Sequence, residues 1–167
     1  MKIAFVGRAG SGKSTVAEYL VTRHGFVRLS FATKIKEFAC QILQRPIDKF
    51  NPSDRSFLQE LGTIARRADP DVWLKWMELE IAALESENEN IVVDDCRFIR
   101  EGAFLKKHGF TLIKLGGRAY EMGEKLMKHV SETELDRIAC DFTLDAGVPL
   151  KEEFKALEKI LKKLRRG

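Results

Sequence analysis

Gly7-Arg8-Ala9-Gly10-Ser11-Gly12-Lys13-Ser14, followed by Thr15, is the stretch that decides how this chain reads. It fits G-x-x-x-x-G-K-[ST]. Before it lies Lys2–Val6 (KIAFV), a short apolar run bounded by glycine that reads as a buried strand. After it, Lys13–His24 carries Val16, Ala17, Tyr19, Leu20 and Val21 at helical spacing, and Gly25 stops the helix. The glycines let the backbone curl until successive N–H groups point inward at phosphate oxygens. The helix beginning near Lys13 adds its positive dipole end. Lys13 can reach β and γ phosphates, and the Ser14 hydroxyl can ligate Mg²⁺. The bland alternative is a glycine turn joining strand to helix. A chance match in a chain of this length is on the order of one in a hundred, and the strand-to-helix setting lowers it further.

Outward from this loop, strands and helices alternate. Phe26–Ser30 reads as a second strand, and Phe31–Leu43 as a helix with Ile35, Phe38, Ala39 and Ile42 on one stripe. Asn51-Pro52 supplies an N-cap with proline at the first helical position, and the helix runs to about Ala68. Asp69-Pro70 repeats that signal before Val72, Trp73, Trp76, Met77 and Ile81. Glu85–Asn90 reads as a polar loop, Asn90–Val93 as a third strand, Phe98–His108 as a helix stopped by Gly109, and Phe110–Leu115 as a fourth strand. Gly116–Asp136 is polar with weak helical character. Asp141–Leu144 is a short last strand, and Leu150–Arg166 an amphipathic helix. The pattern predicts an α/β fold with a mostly parallel sheet and right-handed crossovers. The several helices between the second and third strands predict a helical insertion over residues 31–89 of a single domain covering 1–167.

The third strand closes on Asp94-Asp95. A carboxylate at such a strand end, in a chain with a phosphate loop, serves the metal shell or orients the attacking group. A solvated turn or a helix cap is the competing reading. Counting does not settle which of the two acids faces the loop. Phosphoryl transfer also needs placed cations. Arg8, Arg66, Arg67, Arg97, Arg118 and Lys128 are the candidates, and Arg97 is best placed, two residues past Asp95. Arg66-Arg67 reads equally well as compensation of a helix dipole. Trp73 and Trp76 could stack on a base, but core packing is the default for at least one of them. His129 has no second ligand at helical spacing and reads as no metal site.

Composition bounds these readings. With 167 residues, 44% hydrophobic and 32% charged, the chain has the make-up of a globular domain rather than a disordered one. No apolar run reaches the ~18 residues of a membrane span, and Ile3–Val6 is too short for a signal peptide. Three scattered cysteines, Cys40, Cys96 and Cys140, point away from disulfides and zinc and toward a reducing, cytoplasmic compartment. A net charge of +4 permits anionic ligands but argues against nucleic acid as the partner, and the basic face of the last helix reads as solvated.

Together these residues resemble the phage-type deoxynucleoside monophosphate kinases of the P-loop nucleoside monophosphate kinase-like family. The resemblance runs from Gly7–Thr15 through Ser30-Phe31-Ala32 with Ile35-Lys36, Leu58-Gln59 with Leu61-Gly62-Thr63, and Asp69-Pro70-Asp71-Val72-Trp73. It continues in Val93-Asp94-Asp95-Cys96-Arg97-Phe98 with Glu101, and closes with His129-Val130-Ser131-Glu132 and Leu135-Asp136. The D-D-x-R-F and H-x-S-E-x-x-L-D stretches discriminate; the phosphate loop is generic. The resemblance implies a three-layer P-loop NTPase fold with a five-stranded parallel sheet, a helical substrate-binding insertion and a short lid over 116–136. It implies ATP and Mg²⁺ as cofactors and a small nucleotide acceptor, in a monomer or homodimer. Carried over by position, Gly7, Arg8, Ala9, Gly10, Ser11, Gly12, Lys13, Ser14 and Thr15 hold ATP, with Arg118 and the Ala146, Gly147, Val148 segment beside them. Lys13, Asp95 and Arg97 carry catalysis, and Ser14 with Asp94 serves the metal. Ser30, Lys36, Arg66, Arg67, Asp71, Trp73, Arg97 and Glu101 line the substrate side.

The chain departs from the pattern at Lys34, where such kinases often carry proline, and at Ile99-Arg100-Glu101, where Pro-Asn-Glu is usual. Animal-type phosphomevalonate kinases look similar too, and dephospho-CoA kinases share the architecture less closely. A P-loop ATPase or switch acting on a macromolecule is the rival from another class; it would turn over ATP without a small acceptor.

Overall fold

β1 (Lys2–Val6) forms where four of five residues are fully buried, the signature of a central strand covered on both faces. In the computed structural model, which describes residues 1–48, 50–116 and 134–166, β1 is the middle of a five-stranded all-parallel sheet. The strand order is β2 (Phe26–Leu29), β3 (Asn90–Cys96), β1, β4 (Thr111–Gly116), β5 (Phe142–Asp145). Side chains alternate between faces. Ile3, Phe5, Val92, Ile113 and Leu115 pack in one cluster with Val16, Ala17 and Leu20 of α1 (Lys13–His24) and with Leu157, Ile160 and Leu161 of α6 (Leu150–Leu164). On the opposite face, α5 (Ile99–Lys107) lies against β4. There Gly102 makes room for the Ile138 side chain, since a Cβ would come within 2.8 Å of Ile138 Cγ2. Helices on both faces of a parallel sheet give three layers, the α/β P-loop NTPase fold.

The chain divides into two compact units, Met1–Arg28 with Asn88–Gly167, and Leu29–Glu87. The second unit holds α2 (Phe31–Leu43), α3 (Pro52–Ala68) and α4 (Val72–Ser86), which pack pairwise on one another. Asn51 caps α3, its Oδ1 accepting from the Ser53 and Asp54 N–H groups at 2.9 and 3.4 Å. Asp54, 2% exposed, accepts from Arg45 Nη1 at 2.8 Å, Arg45 Nη2 at 2.5 Å and the Asp48 N–H at 2.9 Å.

Asp69-Pro70 does not start the next helix. The Asp69 N–H still donates to Ala65 O at 2.9 Å, ending α3, and its Oδ1 accepts from the Asp71 N–H at 3.0 Å. The aspartate therefore closes a side-chain turn, and α4 begins two residues later than the Asp-Pro signal implies. β3 likewise runs on through both acids to Cys96.

Candidate active site

The strand order sets the site. β3 lies directly beside β1, so the acids at the end of β3 stand next to the loop that leaves β1. β4 flanks β1 on the other side, which places this edge at the point where connections diverge, the usual ligand crevice of an open α/β sheet.

Three glycines shape the loop. Gly10 and Gly12 have φ of 78° and 93°, in the left-handed region that side chains avoid. At Gly7 a Cβ would stand 2.7 Å from Ser11 Oγ and 3.1 Å from Leu115 O. Gly12 O accepts from the Thr15 and Val16 N–H groups at 2.9 and 3.1 Å, which begins α1 at Lys13. The Lys13 ammonium, on a side chain only 6% exposed, donates to Gly7 O and Arg8 O at 2.6 Å each and to Ser11 Oγ at 3.3 Å. It thus lies inside the loop it would serve.

β1 and β3 fall out of step at the acids. Ala4 pairs with Val93 and Val6 with Cys96, so two steps along β1 match three along β3. This irregularity interrupts alternation and separates the roles of neighbouring aspartates. Asp94 is buried, and its Oδ2 accepts from Ser14 Oγ at 3.0 Å. Arg28 Nη2 donates to the same oxygen, and Arg28 Nη1 lies 3.8 Å from Glu18 Oε2. Asp95 is half-buried. Arg28 was not among the sequence candidates. One arginine in the strand FVRLS gives no hint unless β2 is known to neighbour β3.

Other expected residues take different places. Glu101 is buried, and its Oε2 accepts from the Arg97 N–H at 2.8 Å and the Phe98 N–H at 3.1 Å. It caps α5 and fixes the backbone that carries Arg97, a structural role that the spacing alone did not suggest. Ile99 N–H donates to Glu134 Oε2 at 2.9 Å, a second carboxylate at the same helix start. Arg8 pairs with Asp136 at 3.2 Å, and Asp136 also accepts from Lys114 at 2.8 Å. The Lys114 contact first, then Arg8, hold the Asp136 carboxyl below its ordinary range. Cys96, fully buried, has its thiol pushed well up by burial and then by Glu101 and Asp95, so it is no thiolate nucleophile. Beyond β5, the buried Ala146 donates its N–H to Gly116 O at 2.7 Å, Gly147 N–H donates to Asp145 Oδ1 at 2.8 Å, and Val148 is half-buried. Arg118, Lys128 and His129 lie outside the described residues.

Ser30, Lys36, Arg66, Arg67, Asp71 and Trp73 all belong to the helical unit. Trp73 is 5% exposed and its Nε1 donates to Gly62 O at 3.2 Å, so it is a core residue there and not a stacking wall. Trp76 is the exposed one of the pair, with Lys34 Nζ 5.4 Å from its ring centre. Arg66 is half-buried along Gly62, and Arg67 is exposed.

Among the described residues no group of three or more His, Cys, Asp or Glu could hold a metal ion. Mg²⁺ does not need one. It takes one or two protein oxygens and fills its octahedron with water and phosphate oxygens. A hydroxyl hydrogen-bonded to a buried carboxylate that already draws a cation fits that ion. Ser14 and Asp94 are the residues that would hold it.

No protein-family model matches the chain. A relative in Acanthamoeba polyphaga mimivirus, "Putative deoxynucleotide monophosphate kinase", is 31% identical over 163 residues, covering 81% of this chain and 82% of that protein. The chain belongs to the P-loop kinases of nucleotides and small metabolites. A second relative of this P-loop kinase, the uncharacterized protein ORF77 of Ictalurid herpesvirus 1 (strain Auburn), is 32% identical over 135 residues, or 80% of this chain. The chain spans 58% of the length of ORF77. Solved structures agree on the fold. Dephospho-CoA kinase from Campylobacter jejuni superposes with a TM-score of 0.60 at 18% identity, covering 100% of this chain and 99% of that one. Shikimate kinase from Aquifex aeolicus gives 0.54 at 15% identity, with the same coverage. Among the described residues no helix is long and apolar enough to cross a membrane.

Proposed function

We propose that this P-loop kinase transfers the γ-phosphoryl group of ATP to the phosphate of a deoxynucleoside monophosphate. The observation that carries the reading is the Ser14 hydroxyl joined to the buried Asp94 carboxylate at the phosphate loop. The mimivirus relative's name supports the acceptor class. In the reaction an anionic oxygen of the acceptor phosphate forms a new P–O bond to the γ-phosphorus. The bond from that phosphorus to the β,γ-bridging oxygen breaks, and ADP leaves with the electron pair. Since the attacking oxygen is already ionised, catalysis rests on positioning and on neutralising charge.

Each residue has a task that follows from its place. The N–H groups of the loop over Gly7–Thr15 cradle the phosphates at the positive end of α1. Lys13 exchanges its hydrogen bonds to Gly7 O and Arg8 O for phosphate oxygens. Ser14 and Asp94 would hold Mg²⁺, which supplies charge neutralisation at the β and γ phosphates when bound. Asp95 and Arg97, one and three residues beyond Asp94, face the acceptor, with Arg97 held in place through Glu101. The segment of Ala146, Gly147 and Val148 passes the adenine. Ser30, Lys36, Arg66 or Arg67, and Asp71 are the acceptor residues that the family resemblance implies, and Arg118 serves ATP.

The test is coupled ADP release with Mg·ATP against each dNMP and NMP, with phosphomevalonate and dephospho-CoA in the panel and Lys13→Ala as control. Turnover with one or more dNMPs, lost in the control, is expected. Hydrolysis at one steady rate whatever the acceptor would overturn the reading in favour of an ATPase.

A further inference from the structure

Arg28 lies outside every motif that identified the site, yet it holds the site's central oxygen. Asp94 Oδ2 takes two donors, the Ser14 hydroxyl from α1 and the Arg28 guanidinium from β2. The carboxylate is deep, with its side chain 5% exposed, whereas the guanidinium sits at the mouth, 35% exposed. We propose that Arg28 and a divalent cation compete for Asp94 Oδ2, so that Arg28 sets the metal affinity of the nucleotide site. The proposal rests on the kinase reading of Ser14 and Asp94.

Charge and space set this competition. A hard cation seeks a carboxylate oxygen, and Asp94 is the buried carboxylate joined to the phosphate loop. A guanidinium on the same oxygen both blocks it and repels a dication. Arg28 also has an alternative partner. Glu18 follows Ser14 by one helical turn on α1, and its Oε2 is already 3.8 Å from Arg28 Nη1. Moving from Asp94 toward Glu18 keeps the guanidinium paired and exposes it further to water, so release costs little desolvation. The contrast with Arg45 supports exchange. Arg45 grips Asp54 with two nitrogens, one on each oxygen, while a single nitrogen of Arg28 hydrogen-bonds Asp94. Arg28 is therefore a positioning residue. It satisfies Asp94 in the metal-free state and yields when Mg²⁺ arrives with nucleotide.

The experiment measures Mn²⁺ affinity by the loss of the free-ion electron paramagnetic resonance signal, with a non-hydrolysable ATP analogue present. Nucleotide binding without metal is measured alongside by calorimetry. Wild type is compared with R28M, R28Q, R28K, and with R23M as a charge control on exposed α1 surface. R28M and R28Q are expected to bind Mn²⁺ roughly three- to tenfold more tightly, because a competing and repelling cation is gone. R28K and R23M should stay within about twofold of wild type, since the first keeps the charge and the second removes a distant, screened one. In D94N the gain from removing Arg28 should vanish. Nucleotide binding intact in all variants, with R28M and R28Q at wild-type or weaker metal affinity, overturns the role of Arg28 alone. Wild type that binds no nucleotide, with or without metal, overturns the kinase reading and this proposal with it.

Discussion

Asp94 and Asp54 are both buried and both hold an arginine, one at the end of β3 and one at the start of α3. Their surroundings differ in kind. Asp54 is closed on itself: Arg45 binds both of its oxygens, the Asp48 N–H adds a third bond, and both partners precede it in the chain, by nine and six residues. Asp94 is assembled from three elements, with α1 supplying Ser14 and β2 supplying Arg28 to a single oxygen. A local, fully satisfied carboxylate ties a loop to a helix. A carboxylate built from distant elements joins the phosphate loop to the neighbouring strand, and the proposed function gives it the metal. Burial and an ion pair alone do not separate the two; the origin and number of the donors do.

The comparison breaks most visibly in activity. Asp94→Asn should lower acceptor-dependent turnover on the order of 10²–10³-fold, with thermal stability close to wild type once Ser14 keeps a partner. Asp54→Asn should leave kcat unchanged, measured in the same coupled assay. Equal losses from the two substitutions would mean that Asp94 and Asp54 do not differ in role.

Stability should show the reverse order. Asp54→Asn removes charge-assisted bonds to Arg45 and should lower Tm by several degrees, read by circular dichroism. The pH dependence follows from the same contacts. The Arg45 hydrogen bonds, and then the Asp48 N–H, hold the Asp54 carboxyl at about 2, against an ordinary value near 3.8. Its folded value is depressed, so its contribution is complete above the ordinary value and is lost as pH falls toward and through about 2. Urea unfolding from pH 6 down to pH 2 should show a loss that Asp54→Asn has already suffered, and that variant should have the flatter profile.

Smaller effects sharpen the account of Trp73 and Glu101. Trp73→Phe keeps the apolar packing but forfeits the bond to Gly62 O, which should cost about 1 kcal/mol of stability and leave acceptor KM within about twofold, the expectation for a core residue without ligand contact. A large rise in KM would restore Trp73 as a substrate wall. Glu101→Gln keeps one acceptor oxygen for the α5 start and should cost no more than about 1 kcal/mol, measured by the shift in urea midpoint.

Much of the fold was legible because local signals agreed with tertiary structure. α1 runs from Lys13 to His24 between Gly12 and Gly25, both in left-handed conformations that glycine supplies. α2 and α3 took the bounds that the pattern implies, α3 with its Asn51-Pro52 cap, but only Ile35 and Ala39 of the α2 stripe are buried, while Phe38 and Ile42 are exposed. Asp69-Pro70 misled because aspartate before proline serves a side-chain turn as readily as an N-cap. At the site, the shape of the loop was legible from spacing, since its glycines act on consecutive backbone. The choice between Asp94 and Asp95 was not. Period-two counting assumes an even strand, and β3 carries an extra residue between Val93 and Cys96 relative to β1. Arg28 was hidden for a different reason: its role exists only because β2 neighbours β3, a pairing across more than sixty residues of chain. Glu101 is a ligand residue by resemblance, and its spacing of three from Phe98 fits a helix-start cap without by itself pointing to one.

The most direct measurement is phosphorus NMR of the products formed from Mg·ATP and a deoxynucleoside monophosphate mixture. The account predicts a deoxynucleoside diphosphate appearing in step with ADP, with inorganic phosphate at the level of an enzyme-free sample. ADP accompanied by inorganic phosphate, with no new diphosphate, would contradict it.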